Sequence, residues 1–298
     1  MMEQRVGFVG LGNMGEPMAR NIARKGFALT IHDADADRAA RIAQDIGAKA
    51  AENLTALGEA ADIVVTMLPT GEIVRAVALE QGLADGLAAG SLVIDMSSSV
   101  PMTTVELGKA LAERGIALVD APVSGGVPRA EAGTLAIMAG ASDAGHLERA
   151  RPVLEAMGDK IFPTGPLGTG HAMKALNNYS AAAGFAAASE ALILGERFGL
   201  DPKTAVEIMN VSTGRNFSTE MTIPSEVIAG RFSSGFALAL LAKDVGIAAK
   251  LAQELGADLP LVAQTDHWWN AALQASEGGA DHTTAYSHWK TRASFQKQ

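Results

Sequence analysis

The stretch that decides the fold is VGFVGLGNMGEPMARNIARKG, residues 6–26. It places a G-x-G-x-x-G pattern, Gly10, Gly12 and Gly15, between an apolar strand-like run and a segment with helical spacing of apolar residues. In such a unit the first glycine makes a tight turn, the second lets the backbone approach a pyrophosphate and the third allows close helix packing. The stretch therefore predicts a dinucleotide-binding unit at the start of the chain, with phosphates at a helix N-terminus.

An acidic residue follows at the position that contacts the ribose of the cofactor in dinucleotide-binding units. The second apolar run ends in LTIHD and places Asp33 eighteen residues after Gly15. An acid there hydrogen-bonds the ribose 2′-hydroxyl of NAD and repels the 2′-phosphate of NADP. Ala34 follows, so no arginine stands directly after it. NAD is favoured over NADP, and a turn or helix-cap aspartate is the alternative. The DADAD run resembles a calcium loop but lacks its glycine and glutamate, so no metal is predicted.

The first half alternates β-branched runs with alanine-rich helical segments. This alternation predicts an α/β domain with a doubly wound parallel sheet covered on both faces. A short KIFPTG piece ends this half at Gly165. The candidate strands begin at Arg5, Ala28, Asp62, Ser91, Ile116 and Leu135.

The second half predicts helices only. Residues 171–198 contain no proline and are rich in alanine, which indicates one long helix. Asp201 and Pro202 have the character of a helix cap and first turn, and Gly256 is a stop signal for the helix before it. The prediction is a Rossmann-type NAD-binding domain over residues 1–165 and an all-helical domain over residues 166–298.

The amino-acid composition argues against several classes of function. The 298 residues carry a formal net charge of −9 and contain no cysteine. The charge argues against nucleic-acid binding, and the missing cysteines exclude disulfides and thiolate catalysis. No apolar run approaches a membrane span, and the N-terminus reads as a first strand rather than a signal peptide. A soluble, cytoplasmic protein without nucleic-acid or membrane partners is expected.

Two later motifs carry candidate chemistry. DAPVSGG, residues 120–126, follows a predicted strand, where doubly wound sheets bind ligands. Ser124, Gly125 and Gly126 can offer a hydroxyl and backbone N–H groups to a small anion such as a carboxylate, although an ordinary turn is the alternative. GTGHAMKALNN, residues 168–178, places Lys174 and Asn178 on one helix face. A solvated surface lysine is the alternative there.

Four motifs in order resemble the β-hydroxyacid dehydrogenase family. They are FVGLGNMGEPMARN, DAPVSGG, GTGHAMKALNN and GFALALLAKD, and the likeness spans nearly the whole chain. The family includes 3-hydroxyisobutyrate dehydrogenases, tartronate semialdehyde reductases, glyoxylate/succinic semialdehyde reductases and the larger 6-phosphogluconate dehydrogenases. Imine reductases share the architecture but generally lack the lysine.

The resemblance implies roles for individual residues. Lys174 would be the general acid/base in an interdomain cleft, and Asn178 would orient the substrate or the lysine. A lysine with a pKa of about 10.4 needs a neighbouring cation, for which Lys243 is the candidate, or desolvation. The implied substrate residues are Ser98, Ser124, Gly125, Gly126, Phe236 and Asp244. Many relatives have threonine at the position of Ser98, and Phe236 could equally be a core residue. The implied cofactor residues are Gly10, Gly12, Asn13, Met14, Gly15, Asp33, Met67, Leu68, Pro69, Ser98 and Lys243.

The predicted function is an NAD(P)-dependent oxidoreductase acting on the CH–OH group of a short β-hydroxyacid. The first substrate is 3-hydroxyisobutyrate, and reduction of the matching semialdehyde is the reverse reaction. The alternatives are a reductase of tartronate semialdehyde, glyoxylate or succinic semialdehyde, and an L-threonate-type dehydrogenase. A non-catalytic nucleotide-binding Rossmann protein is an alternative of another class. The long alanine-rich helix and the resemblance together predict a homodimer or homotetramer.

Overall fold

A computed structural model describes residues 4–293. Packing divides the chain into the compact units Met1–Lys174 and Ala175–Gln298. The division falls inside a long helix that begins at Thr169, later than the predicted domain boundary, which lies at the end of the last strand. Among the described helices, none has both the length and the apolar character needed to cross a membrane.

The first unit is built on one sheet. Its strands are β1 Arg5–Val9, β2 Ala28–His32, β3 Lys49–Ala50, β4 Ile63–Thr66, β5 Leu92–Asp95, β6 Ala117–Asp120, β7 Val123–Ser124, β8 Leu135–Ala141 and β9 Gly158–Gly165. Their order is β3-β2-β1-β4-β5-β6-β8-β7, with β9 beside β8. The order reverses beside β1, between β1 and β4, which is the point where doubly wound sheets bind ligands.

Eight helices accompany the sheet within residues 4–165. They are α1 Gly15–Arg24, α2 Ala36–Ile46, α3 Leu54–Glu59, α4 Gly71–Leu79, α5 Leu83–Gly86, α6 Pro101–Ala112, α7 Gly126–Ala132 and α8 Ala144–Leu154. One apolar cluster includes Phe8, Met18 and Ile31, and a second includes Leu57 and Val64. The strands contribute to both clusters, which confirms a sheet covered on both faces.

One edge of the sheet departs from the parallel pattern. β8 pairs antiparallel with β6, with Asp120 opposite Gly140, and antiparallel with β7. The apolar run of β8 carries no signal for direction, so the sequence does not predict this reversal. The direction of β8 is set by the path of residues 121–134, which contain β7 and α7, and not by a signal within the strand itself.

The described residues of the second unit form helices joined by loops, with one isolated β-bridge between Ala237 and Asp281. The unit holds most of α9 Thr169–Phe198, then α10 Pro202–Asn210, a π-helix Ser218–Ile228, α11 Leu238–Glu254, α12 Pro260–Gln274, a 3₁₀ turn His282–Thr284 and α13 Ala285–Arg292. Asp201 caps α10 by accepting the Thr204 N–H, as the sequence predicts. The π-helix is not predicted; Pro224 lies within it and cannot donate a backbone hydrogen bond. Trp269 and Phe185 are buried in the core.

Candidate functional site

The glycine loop of the first unit has the geometry that a bound dinucleotide requires. Gly10 has φ +96°, and a Cβ there would collide with the Met67 carbonyl oxygen. A Cβ on Gly15 would collide with the Gly10 carbonyl oxygen, so this glycine permits close packing of α1. A Cβ on Gly12 would meet no protein atom within 4 Å, which leaves space above the loop for a ligand. The loop therefore fits a pyrophosphate at the start of α1.

Asp33 is fixed beside this loop. Its Oδ2 accepts the Leu11 N–H at 2.6 Å, and its Oδ1 accepts the Asp35 N–H at 2.9 Å. The Arg38 guanidinium lies 3.4 Å from Oδ1. Arg38 also lines a cavity of about 620 Å³ together with Gly12. The carboxylate thus stands at the end of β2 as a ribose-binding acid would, with a cation next to it.

A buried carboxylate organises the loops after β4 and β5. Asp95 Oδ1 accepts the Thr66 hydroxyl and the Ser97 N–H, each at 3.0 Å. The Ser97 hydroxyl in turn accepts the Leu68 N–H at 2.9 Å. Ser98 is half-buried between the buried residues Ser97 and Ser99. Asp95 therefore links both loops that the sequence assigns to the cofactor, residues 67–69 and Ser98.

A second buried carboxylate binds the start of α9. Asp120 Oδ1 accepts the Gly168 N–H at 2.7 Å, and Oδ2 accepts the His171 N–H at 2.8 Å. Burial raises the pKa of the Asp120 carboxyl, and the nearby His171 and these two N–H groups oppose the rise. Asp120 also opens the DAPVSGG motif, so one residue ties the predicted substrate motif to the predicted catalytic helix.

The anion-binding candidates follow Asp120 directly. Ser124 ends β7 and is half-buried, whereas Gly125 and Gly126 are exposed. Gly125 has φ +137° and Gly126 has φ +66°, a region that favours glycine. This backbone conformation explains the glycine pair, and it leaves the backbone accessible to a small ligand.

Lys174 lies in the second turn of α9 and is half-buried. Asn178 follows one helical turn later, so the two side chains share a face of this helix.

The second unit holds Asn178 in a fixed orientation. Its side-chain amide donates to Asp244 Oδ2 at 2.6 Å, and Asp244 is only 4% exposed. Lys243 Nζ lies 3.8 Å from Asp244 Oδ1. The structure thus brings three of the predicted residues of this unit together. Phe236 lies apart from this pairing, half-buried, with its ring 5.8 Å from that of His282.

Two family models cover almost all of the chain. The NAD-binding domain of 6-phosphogluconate dehydrogenase matches residues 5–165, and the NAD-binding model of NADP-dependent 3-hydroxyisobutyrate dehydrogenase matches residues 168–289. The chain belongs to the β-hydroxyacid dehydrogenase family. It is therefore an NAD-binding oxidoreductase of β-hydroxyacids.

Individual β-hydroxyacid dehydrogenases match over nearly their whole length. The chain is 39% identical to 2-(hydroxymethyl)glutarate dehydrogenase of Eubacterium barkeri, covering 96% of this chain and 95% of the relative. It is 36% identical to 3-hydroxyisobutyrate dehydrogenase of Pseudomonas aeruginosa, and the match covers 91% of this chain and 92% of the relative. The solved structure of Mycobacterium tuberculosis 3-hydroxyisobutyrate dehydrogenase with L-serine superposes with a TM-score of 0.88, at 34% identity and coverage of 97% and 99%.

Family membership confirms the resemblance on which the site residues were assigned, and their individual roles stay predictions. The residues missed by sequence reasoning are Asp95, Asp120, His171 and Arg38. Asp120 and His171 stand inside two of the motifs and so carried a signal, whereas Arg38 lies on α2 beyond Asp33 and becomes its neighbour only in the fold. Within residues 4–293, no group of three or more histidine, aspartate or glutamate side chains is placed to hold a metal ion.

Proposed function

We propose that the protein transfers a hydride between NAD and the hydroxyl-bearing carbon of a short β-hydroxyacid, with Lys174 as the general acid/base. The observation that carries this proposal is the pairing of a loop built for a pyrophosphate with a half-buried lysine on α9, in a chain of this family. NAD supplies the hydride acceptor or donor, and the protein supplies orientation and proton transfer.

Each protein group has one task in this mechanism. Lys174 Nζ takes the hydroxyl proton during oxidation and returns a proton to the alkoxide during reduction. Ser124, Gly125 and Gly126 bind the substrate carboxylate through hydroxyl and N–H donors. Asn178 orients the substrate, and its hydrogen bond of 2.6 Å to Asp244 sets which way its amide points.

We infer the substrate class from the molecules that three of the similar proteins name. 2-(Hydroxymethyl)glutarate, 3-hydroxyisobutyrate and L-serine all have the form HOCH₂–CH(R)–COO⁻. We propose this unit as the substrate, with 3-hydroxyisobutyrate as the first candidate. Tartronate semialdehyde gives an acid of the same form on reduction, whereas succinic semialdehyde, glyoxylate and L-threonate do not share it.

A panel of acids that differ only in R tests this proposal. NADH absorbance is followed with 3-hydroxyisobutyrate, L-serine, glycerate and 2-(hydroxymethyl)glutarate, and with L-threonate as the comparison outside the class. Turnover of at least one HOCH₂–CH(R)–COO⁻ acid is expected. NADH binding without turnover of any acid or aldehyde would instead favour the non-catalytic nucleotide-binding alternative.

The preference for NAD over NADP is proposed to depend on Asp33. Asp33→Ser removes the carboxylate that faces the ribose and leaves Arg38, now 3.4 Å from it, available to a 2′-phosphate. A hydrogen bond to a charged group contributes about 1.5–3 kcal/mol, so the NAD-to-NADP ratio of kcat/KM should fall by roughly 10- to 100-fold. Steady-state kinetics with both cofactors measure this ratio.

Asp37→Ser is the matched control for Asp33→Ser, because Asp37 is an exposed acid in the first turn of the neighbouring helix α2. It should leave the ratio unchanged. If the NAD-to-NADP ratio of kcat/KM is also unchanged in Asp33→Ser, Asp33 does not determine the cofactor preference.

We also propose a cytoplasmic homodimer or homotetramer. The second unit exposes large apolar side chains at the end of α9, on α10 and directly after α10: Phe198 is 90% exposed, Ile208 58% and Val211 86%. Light scattering should give a multiple of the 30.7 kDa chain mass, and Phe198→Glu should lower it. A monomer mass for the wild type would refute the assembly.

A further inference from the structure

The mechanism above leaves one buried titratable cluster of the first unit unused. Asp95 at the end of β5, Asp120 at the end of β6 and His171 in the first turn of α9 are each at most 2% exposed. Burying ionisable groups costs free energy unless they are paired and hydrogen-bonded. All three lie within a few residues of predicted cofactor, substrate or catalytic residues, so their arrangement bears on the site.

Asp120 sets the position of α9 along its axis. It accepts two backbone N–H groups at the helix start, from Gly168 at 2.7 Å and His171 at 2.8 Å. Two glycines permit this approach, because a Cβ on Gly170 would lie 2.8 Å from Asp120 Oδ2 and one on Gly140 2.5 Å from Oδ1.

The His171 ring sets the rotation of the same helix. Nδ1 lies 2.8 Å from the Thr104 hydroxyl on α6, and that hydroxyl donates to the Val100 carbonyl at 3.2 Å. The hydroxyl and Nδ1 therefore form one hydrogen bond, and the ring tautomer decides which of them donates. The ring is thereby tied to α6 while its backbone is tied to Asp120.

The other ring nitrogen of His171 faces Asp95. Nε2 lies 3.7 Å from Asp95 Oδ2 and has no hydrogen-bond partner among residues 4–293. Oδ2 also accepts the Ser99 hydroxyl at 3.1 Å, and Oδ1 accepts the Ser97 N–H. His171 therefore stands between the carboxylate that binds the catalytic helix and the carboxylate that orders the predicted cofactor loops.

We propose that His171 is a positioning residue that holds Lys174 in its reactive orientation through the Thr104 hydrogen bond. Lys174 lies three residues after His171 on the same rigid helix. A rotation of the first turn would therefore swing the lysine about the helix axis. The proposal rests on the proposed role of Lys174 as general acid/base.

Three substitutions separate the two ring nitrogens. His171→Leu removes both, His171→Asn places an amide nitrogen near the position of Nδ1, and His171→Gln places one near that of Nε2. His171→Leu should lower kcat by roughly 10²-fold, as expected for a catalytic group displaced by about 1 Å. The dissociation constant of NADH should change by less than about threefold, because the cofactor loops keep their bonds to Asp95.

Rescue by the amide variants identifies the nitrogen that matters. His171→Asn should recover most of kcat, and His171→Gln should stay close to His171→Leu. The pH profile of kcat should shift in His171→Leu and return in His171→Asn. His267→Leu, at an exposed histidine on α12, is the control and should match wild type.

Other results would overturn the proposal. A wild-type value of kcat in His171→Leu would contradict it. Equal losses of kcat, NADH affinity and melting temperature in all three variants would also contradict it, because they would indicate a structural role only. If His171→Leu does not fold, Thr104→Val keeps the histidine and the side-chain volume but removes the hydroxyl that pairs with Nδ1. It should lower kcat about 10-fold without weakening NADH binding.

A readout without turnover separates this proposal from the proposed function. Competitive acetylation of Lys174 as a function of pH, followed by mass spectrometry with Lys250 as internal standard, reports the reactivity of the lysine. If wild type turns over no acid, the proposed function fails, but a changed Lys174 reactivity in His171→Leu and its recovery in His171→Asn would still support positioning. An unchanged reactivity would reject it.

Discussion

Replacing Lys174 with methionine is expected to lower kcat by at least about 10²-fold, the contribution of a positioned general acid or base. Methionine keeps the unbranched apolar stem and most of the length of the side chain but carries no titratable proton. Lys174→Arg should be nearly as impaired, because a guanidinium stays charged and cannot accept the hydroxyl proton. Steady-state NADH formation with the best acid of the panel measures both variants.

The same variants distinguish an effect on cofactor binding from an effect on proton transfer. The NADH dissociation constant of Lys174→Met should stay within about threefold of wild type, because the lysine acts in proton transfer and not in uniform cofactor binding. Lys250→Met, at an exposed lysine of α11, is the control and should retain full turnover. Full turnover by Lys174→Met would assign proton transfer to another group.

Gly170→Ala is expected to destabilise the first unit by about 1–3 kcal/mol, the cost of forcing a methyl group into a well-packed core. Its Cβ would collide with the Met138 carbonyl oxygen and would lie 2.8 Å from Asp120 Oδ2 and 2.9 Å from the Asp120 carbonyl oxygen. Two of these three atoms belong to the sheet backbone, which cannot move without breaking strand pairing. Turnover should fall as well, because Asp120 would release the start of α9.

Thermal unfolding followed by circular dichroism compares Gly170→Ala with Gly184→Ala. Gly184 lies in the interior of the same helix, and its Cβ would meet only ordinary contacts, the nearest being Asn216 Cγ at 3.6 Å. Alanine is the better helix former by about 1 kcal/mol, so Gly184→Ala should unfold at the wild-type temperature or above. Equal melting temperatures for Gly170→Ala and wild type would show that the helix start tolerates a side chain.

Much of the architecture could be predicted because its signals are local. The glycine pattern between an apolar run and a helical repeat predicted β1, the phosphate loop and α1, and the structure has them at Arg5–Val9 and Gly15–Arg24. Asp201 and Pro202 predicted the start of α10 in the same way. Each signal needs only residues within a few positions of one another, because caps, turns and helix faces are made by near neighbours in the chain.

The tertiary structure alone decided the contacts that join distant segments. The sequence placed Lys174 and Asn178 on one helix face by their spacing, but the hydrogen bond from Asn178 to Asp244 joins residues 66 apart. Arg38 beside Asp33, the reversed direction of β8 and the Asp95–His171–Asp120 cluster likewise depend on how elements pack. Spacing along the chain determines which residues share an element, whereas only packing between elements determines which side chain each one meets.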